Sequence, residues 1–538
     1  MKRAFDYIVM GAGSAGCVLA HRLSQNYKVL LLEAGSSPAW WETWKVNMPA
    51  ALTYNLGKNS CHNWHYCTTP QKGLNGRSID APRGKILGGS SAINAMVYVR
   101  GHRMDFNRWE EEEGADGWSY DDCLPYFLKA STHLQRHNAY HGTSGPLKVK
   151  TIVDSPVQAL FDVFVQAGIE AGYPYNEDMN GEEQLGFGPF DMTVTGDGIR
   201  CSAAKAYLEK ANHNNLTICT NAMVDRVLFD EQKIARSVVF YLGDEKQTVS
   251  CNREIISSLG AVGSPALLMR SGIGDQNELK RFNGSIIHHN DQVGRNLQDH
   301  TEVYLQYRCK EPVTLFPYST WKSWRRSLAG LQWFWSGKGI CASNLFHTGG
   351  FVTTRNNVAH PDVQFHFIPG AVIGQSEFIP LHAFQVHVGT LRPKSRGKIT
   401  LTSLNPTAPP LIDPNYYSHP EDMEDMKLAL QHAERIIQQP AFEKYCGQRI
   451  SPGIDIQTDD DIEIFIREQT HSAYHLSCSC KMGKSTDSVV DSTGQVYGVR
   501  NLRVVDASIM PSMTSGNLNA PTIMMAEKIF DYIMEKNR

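Results

Sequence analysis

Phe5-Asp-Tyr-Ile-Val-Met-Gly11-Ala-Gly13-Ser14-Ala15-Gly16 stands near the start of the chain, and Val29-Leu-Leu-Leu-Glu33-Ala34-Gly35 follows after one helix's length of residues. An apolar strand runs into a G-x-G-x-x-G turn, a helix follows, and a second strand ends in an acid. That order is what a dinucleotide site requires. Gly11 permits the tight turn, Gly13 lets backbone approach a pyrophosphate, and Gly16 lets helix and strand pack closely. Ser14 and Ala15 open the helix, whose free N–H groups and dipole favour a diphosphate. Glu33, followed by Ala34, is placed for the hydroxyls of an adenosine ribose. The glycines alone are weak evidence, because glycine turns are common. Strand, helix, second strand and acid in register favour a nucleotide site over a plain turn.

Composition excludes several alternatives. At 538 residues the chain implies two or three domains. Basic and acidic residues balance at 52 and 55, without a basic tract, which argues against nucleic acid as a partner. The 12 cysteines are scattered, none in a Cys-x-x-Cys pair, and read as free thiols of a reducing compartment. Lys2-Arg3 imitates the start of a leader, but Asp6 and the glycine turn interrupt the apolar stretch, so no cleavable leader is expected. No apolar run reaches membrane-spanning length, and the cytoplasm is the expected location.

A second small-residue turn, Gly84-Lys-Ile-Leu-Gly88-Gly89-Ser90-Ser91-Ala-Ile-Asn94-Ala95, offers more backbone N–H groups to a ligand. Short strands after Leu216 suggest a meander inserted into an α/β domain. Between residues 300 and 470, period-two strands such as Val363-Gln-Phe-His-Phe-Ile alternate with helices. Leu502-Arg-Val-Val-Asp506-Ala507 is a further apolar strand ending in an acid, and Pro521 opens a last helix. The predicted class is α/β (α+β overall): a Rossmann-like cofactor domain and a second domain on an antiparallel sheet. The cofactor domain takes residues 1–150, 213–300 and 471–538; the substrate domain takes 151–212 and 301–470.

Thr470-His471-Ser-Ala-Tyr474-His475 is the densest stretch for chemistry. Two histidines four apart on a helix share a face, but no third ligand completes a metal set, so no metal is expected. An imidazole titrating near neutrality suits general-base work instead.

Gly84 to Tyr98, Gly260 to Gly274, Val293 to His300, Tyr474-His475, and Val505-Asp506 followed by Asn517-Leu-Asn519-Ala-Pro-Thr together resemble the glucose–methanol–choline oxidoreductases, in family order from residue 5 to about residue 535. The resemblance implies FAD, a roof domain over the flavin, and oxidation of a primary alcohol to its aldehyde. It implies His475 as catalytic base and Asn519 as its polar partner. It places Asn94, Ala95, Met96 and Val97 against the flavin, with Val224, Asp506 and Ala507 as further cofactor contacts. Ile93 stands where some members carry a histidine bonded to the flavin, so non-covalent FAD is expected. His347 and Tyr474 are expected in the substrate pocket. Choline-type members are expected to hold a glutamate where His347 stands, which counts against choline and favours a neutral alcohol.

Electrons are expected to pass to a quinone-type acceptor. The alternatives are an oxidase using O2 and, further off, a hydroxynitrile lyase that keeps FAD without redox turnover. Trp321, Trp324, Leu328, Leu331 and Trp335 share one face at helical spacing. That face either packs onto the roof domain, the expected arrangement, or lies peripherally on a membrane where a quinone is collected. Nothing in the sequence sets an oligomeric state.

Overall fold

A computed structural model describes residues 4–153, 155–319, 323–373, 377–453, 458–484 and 487–536. Lys2, Arg3 and Trp321 lie outside the described residues.

Strand Ala4–Met10 is central to a seven-stranded sheet. Val29–Leu32 and then Leu216–Cys219 lie on one side of it, and Glu245–Ser257 lies on the other, all parallel to it. The far half of Glu245–Ser257 also pairs in parallel with Leu502–Val504. Its near half carries the antiparallel meander of Ala235–Leu242 and Ala222–Phe229. Val29–Leu32 is buried at all four positions because helices cover both faces of this sheet, which is why it reads as an unbroken apolar run. Helix Ser14–Ser24 leaves the first strand through the glycine turn. A Cβ on Gly16 would meet the Gly11 carbonyl oxygen at 1.9 Å, so only glycine lets helix and strand approach this closely. The last helix, Asn519–Lys536, is fastened to this one by a partly buried ion pair, Arg22 to Glu527 at 2.8 Å.

The second seven-stranded sheet is antiparallel throughout. Its order is Cys446–Ser451, Thr301–Cys309, Ala383–Thr390, Val363–Ile368, Thr348–Val352, Gly186–Pro189, and His471–Ser472 pairs with the start of Thr301–Cys309. Period-two alternation divides its residues between two faces. Val303, Leu305, Phe365, Phe367, Phe384 and Val386 join a core with helices Gln158–Glu170 and Pro420–Ile437. Glu302, Tyr304, His366 and His387, at the intervening positions, line a cavity.

The predicted class therefore stands, with two cores beneath it. Some segments fall on the other side of the predicted division. Ala203, Ala206, Tyr207 and Leu208, expected in the second domain, pack in the first core, where Tyr207 meets His21 edge-on at 5.7 Å. Small alanines on that short helix let it lie close to Ser14–Ser24. Leu74 and Ile79 conversely belong to the second core, and Ile399 and Ile412 to the first.

Candidate active site

The two sheets enclose a cavity of about 1100 Å³ that runs from the glycine turn to the polar face of the antiparallel sheet. At its first end it is lined by Gly11, Gly13, Ser14, Ala15, Glu33, Ala34, Gly84, Gly89, Ser90, Asn94, Ala95, Met96, Val97, Val224, Asp506 and Ala507, all expected there. Gly16 and Gly88 stand behind the lining. Gly88 N–H donates to the Ala12 carbonyl at 2.8 Å and so joins the two glycine turns. A Cβ on Gly89 would lie 2.7 Å from Gly13 Cα. The turns thus present backbone where side chains would fill the space a pyrophosphate needs. Glu33 accepts from Ala12 N–H at 2.9 Å and Gly35 N–H at 2.7 Å, and burial pushes its carboxyl up to about 7. These bonds fix its carboxylate at the cavity wall, where a ribose diol can donate to it. The donor and acceptor set fits the ADP half of FAD. Ile93 lines the wall beyond and offers no nucleophile for a covalent bond to a flavin.

One residue the sequence reading missed braces this end. Arg200, fully buried, donates to the Asn94 side-chain oxygen at 2.9 Å and to the Val46 carbonyl at 2.9 Å. Asn94 Oδ1 also accepts from Met96 N–H at 3.0 Å. Met96 is held at φ 63°, and His65, Leu345 and Tyr474, also lining the cavity, share the left-handed region that non-glycine residues seldom adopt.

At the other end stands His475, and its protonation state follows from a chain of contacts. The Leu391 carbonyl can only accept, so His300 carries its proton on Nε2, 2.9 Å away. Burial lowers His300 to about 4, keeping it neutral, so its Nδ1 is a bare acceptor. His475 Nδ1 lies 2.9 Å from it and therefore donates. His475 is held far below the ordinary histidine range, first by burial and then by His300, His366 and Arg83. Its Nε2 is consequently a bare lone pair in the cavity. The His475 backbone N–H donates to Asp299 at 2.8 Å, which fixes the turn.

Two expected positions need correction. Asn519 is not the asparagine bonded to His475. It opens the last helix, and its side-chain oxygen accepts from Ser14 Oγ at 2.7 Å, at the cofactor end. The residue facing His475 Nε2, at 3.3 Å, is Asn517. Gln364 donates to Asn517 Oδ1 at 3.3 Å, which turns the Asn517 amide N–H toward His475. The chain enters its helix at 519, so residue 517 is still loop and free to point inward.

His347 is likewise not in the pocket. It is fully buried in the second core, stacked on Phe161 at 4.3 Å and bonded to Ser343 Oγ, and burial lowers it to about 3. Residue 347 precedes strand Thr348–Val352 and faces its helix-covered side, so its neighbour Phe346 lines the cavity instead. Tyr474 does line the cavity, as expected.

The pocket's carboxylate comes from Glu302, which the sequence reading did not single out. Tyr304 OH donates to Glu302 Oε1 at 2.7 Å, and His387 Nδ1 lies 3.3 Å from Oε2. Burial works against it, but the His387 and Tyr304 hydrogen bonds hold Glu302 below the ordinary carboxylate range, so it is an anion at neutral pH. Its signal in the sequence is alternation: Val303, Leu305 and Tyr307 are apolar, so 302, 304 and 306 share the opposite face.

Residues 5–302 and 393–526 match two family profiles, each described as GMC oxidoreductase. An oxygen-dependent choline dehydrogenase of Pectobacterium atrosepticum is 47% identical over 537 residues, covering 99% of this chain and 95% of its own. A protein of the same description from Burkholderia multivorans is 46% identical over 535 residues, covering 99% and 94%. Among solved structures, pyridoxine 4-oxidase from Mesorbium loti superposes with a TM-score of 0.87 at 28% identity, over 98% of this chain and 99% of that one. Formate oxidase gives 0.92 at 24% identity over 100% and 99%, a likeness of fold alone.

Proposed function

Because the chain belongs to the GMC oxidoreductase family, an FAD-dependent family acting on CH–OH donors, we propose that its substrate is a primary alcohol bearing an ammonium group, such as choline, oxidised to the aldehyde. The observation that carries this reading is one cavity holding both a bare imidazole nitrogen and a carboxylate. FAD, when bound, supplies the hydride acceptor. His475 Nε2 takes the hydroxyl proton, and its Nδ1–H stays hydrogen-bonded to His300 Nδ1 throughout. Asn517 donates to the substrate oxygen as negative charge grows there. Glu302, with the rings of Tyr304, Phe346 and Tyr474, receives the cationic end. The argument against choline falls with the placement of His347, whose imidazole does not reach the pocket. The relatives described as choline dehydrogenases support the same substrate class.

A lipophilic quinone at a membrane surface is the proposed acceptor. Helix Trp324–Ser336 buries Ala329 and Trp333, while Trp324 (68%), Leu331 (64%) and Trp335 (94%) are exposed. The helix thus packs onto the protein through Ala329 and Trp333, and its aromatic stripe faces outward. Trp40 (84%) and Trp41 are exposed as well, and Trp44 meets both Phe334 and Tyr54 by ring edges, joining the patch to the segment whose Leu52 and Leu56 line the cavity. Arg325 over Trp324 adds the basic charge an anionic bilayer attracts. No helix among the described residues is long and apolar enough to cross a membrane. A second reading, O2 as acceptor, is favoured by the relatives' description as oxygen-dependent.

Anaerobic mixing of the flavoprotein with choline and with neutral alcohols, followed by flavin absorbance, tests the reaction. Bleaching by choline is expected; no bleaching by any alcohol, with cyanohydrin cleavage instead, would mark a lyase. Oxygen uptake set against quinone reduction separates the acceptors, and sedimentation of Trp335→Ser with anionic vesicles tests the membrane contact.

A further inference from the structure

Behind Glu302, away from the cavity, lie two glutamines on paired strands. Gln306 stands opposite Gln385, as Tyr304 stands opposite His387. Gln385 is fully buried, and both amides meet the backbone of Val372. A backbone carbonyl can only accept, so Gln306 must present its NH2 to the Val372 oxygen, 2.7 Å away. A backbone N–H can only donate, so Gln385 must turn its oxygen to Val372 N, at 3.1 Å, where the Gln306 NH2 also reaches it at 2.6 Å. Neither amide can be flipped without setting like against like. The Gln385 NH2 is then left 2.7 Å from His387 Nε2. That nitrogen must be bare, and the His387 proton must sit on Nδ1, facing Glu302.

We propose that Gln385, oriented by the Val372 backbone, is a positioning residue that locks His387 as the neutral Nδ1–H tautomer and so leaves Glu302 its full negative charge for a cationic substrate. An imidazolium at 387 would set N–H against N–H on Gln385 and neutralise the carboxylate. The proposal rests on the reading of the pocket as a cation site. The titratable groups facing His387 are Glu302 and Tyr304 on one neighbouring strand, with the Tyr304 ring centroid at 4.1 Å, and His366 on the other at 6.3 Å. His471 stacks beyond Tyr304 at 4.9 Å. Burial lowers both His366 and His471, so Glu302 is the anion that His387 would pair with if freed.

The test compares wild type with Gln385→Met, which keeps the volume and removes the donor, using choline and its uncharged isostere 3,3-dimethyl-1-butanol between pH 5.5 and 8.5. Wild type is expected to favour choline with a KM that is flat in pH. In Gln385→Met, KM for choline is expected to rise about 30-fold as the pH falls from 8.5 to 5.5. The kcat and the KM for the isostere stay unchanged. A choline KM in the variant as flat as that of wild type would overturn the relay. A wild type that does not distinguish the two alcohols would instead overturn the cation-site reading, so the two failures are separable. Should Gln385→Met not fold, 15N-histidine NMR of the wild-type holoenzyme, assigned by loss of the signal in His387→Gln, decides the matter. A bare Nε2 persisting to pH 5.5 supports the relay, and an imidazolium at that pH overturns it.

Discussion

The two ends of the cavity are built on opposite plans. At the cofactor end the working groups are backbone: the turns at Gly11–Gly16 and Gly84–Gly89 function because side chains are missing, and each turn is local in sequence. At the substrate end the working groups are side chains gathered from distant positions, with Glu302, His366, His387, His475 and Asn517 meeting only when the antiparallel sheet and the last loops assemble. A site made of backbone fails outright when a methyl group intrudes. A site made of relayed side chains loses one property at a time.

The harshest test of that contrast is Gly89→Ala. Its new Cβ would press on Gly13 Cα at 2.7 Å, on backbone that cannot yield. Purified protein is expected to lack bound flavin altogether, read from its visible spectrum; a yellow, active variant would mean that the turns need not approach so closely. Next, His475→Ala should keep its flavin and lose kcat by about 10²–10⁴-fold. Because burial holds His475 well below 6.5, the imidazole stays neutral and competent on mild acidification, so the acidic limb of wild-type kcat/KM belongs below pH 6.5. A limb above that value would show the imidazole protonating where the fold should forbid it. Glu302→Gln is expected to raise KM for choline by about 30-fold or more, from the loss of roughly 2 kcal/mol or more of paired charge, with little change in kcat. An equal loss for a neutral alcohol would assign Glu302 a structural role. The smallest effect belongs to His347→Gln: KM for choline within about twofold of wild type, as expected for ordinary repacking away from a site. A large, charge-dependent change would return residue 347 to the pocket.

What the sequence disclosed follows the same division. The glycine turns, Glu33 and the strand ending at Asp506 were legible because each element carries its function within a few consecutive residues. The place of His475 in the cavity was legible from its dense neighbourhood and from family resemblance. Asn517 and Asn519 could not be told apart, since both are asparagines and only the start of the last helix decides which one turns inward. His347 and Glu302 were exchanged for a related reason. Alternation says that residues 302 and 304 share a face, but not which face the helices cover. The aromatic stripe on Trp324–Ser336 was read correctly as one face, while its exposure depends on Ala329 and Trp333 already filling the buried side.

The contact between His300 and the Leu391 carbonyl has a consequence for how this chemistry could change. A carbonyl oxygen belongs to the main chain and has no codon, so no single substitution at 391 can remove it. The direction in which the His475 imidazole holds its hydrogen is therefore inherited from the path of the chain. Selection can discard the histidines, but it can invert their polarity only by moving the backbone where the strand ends.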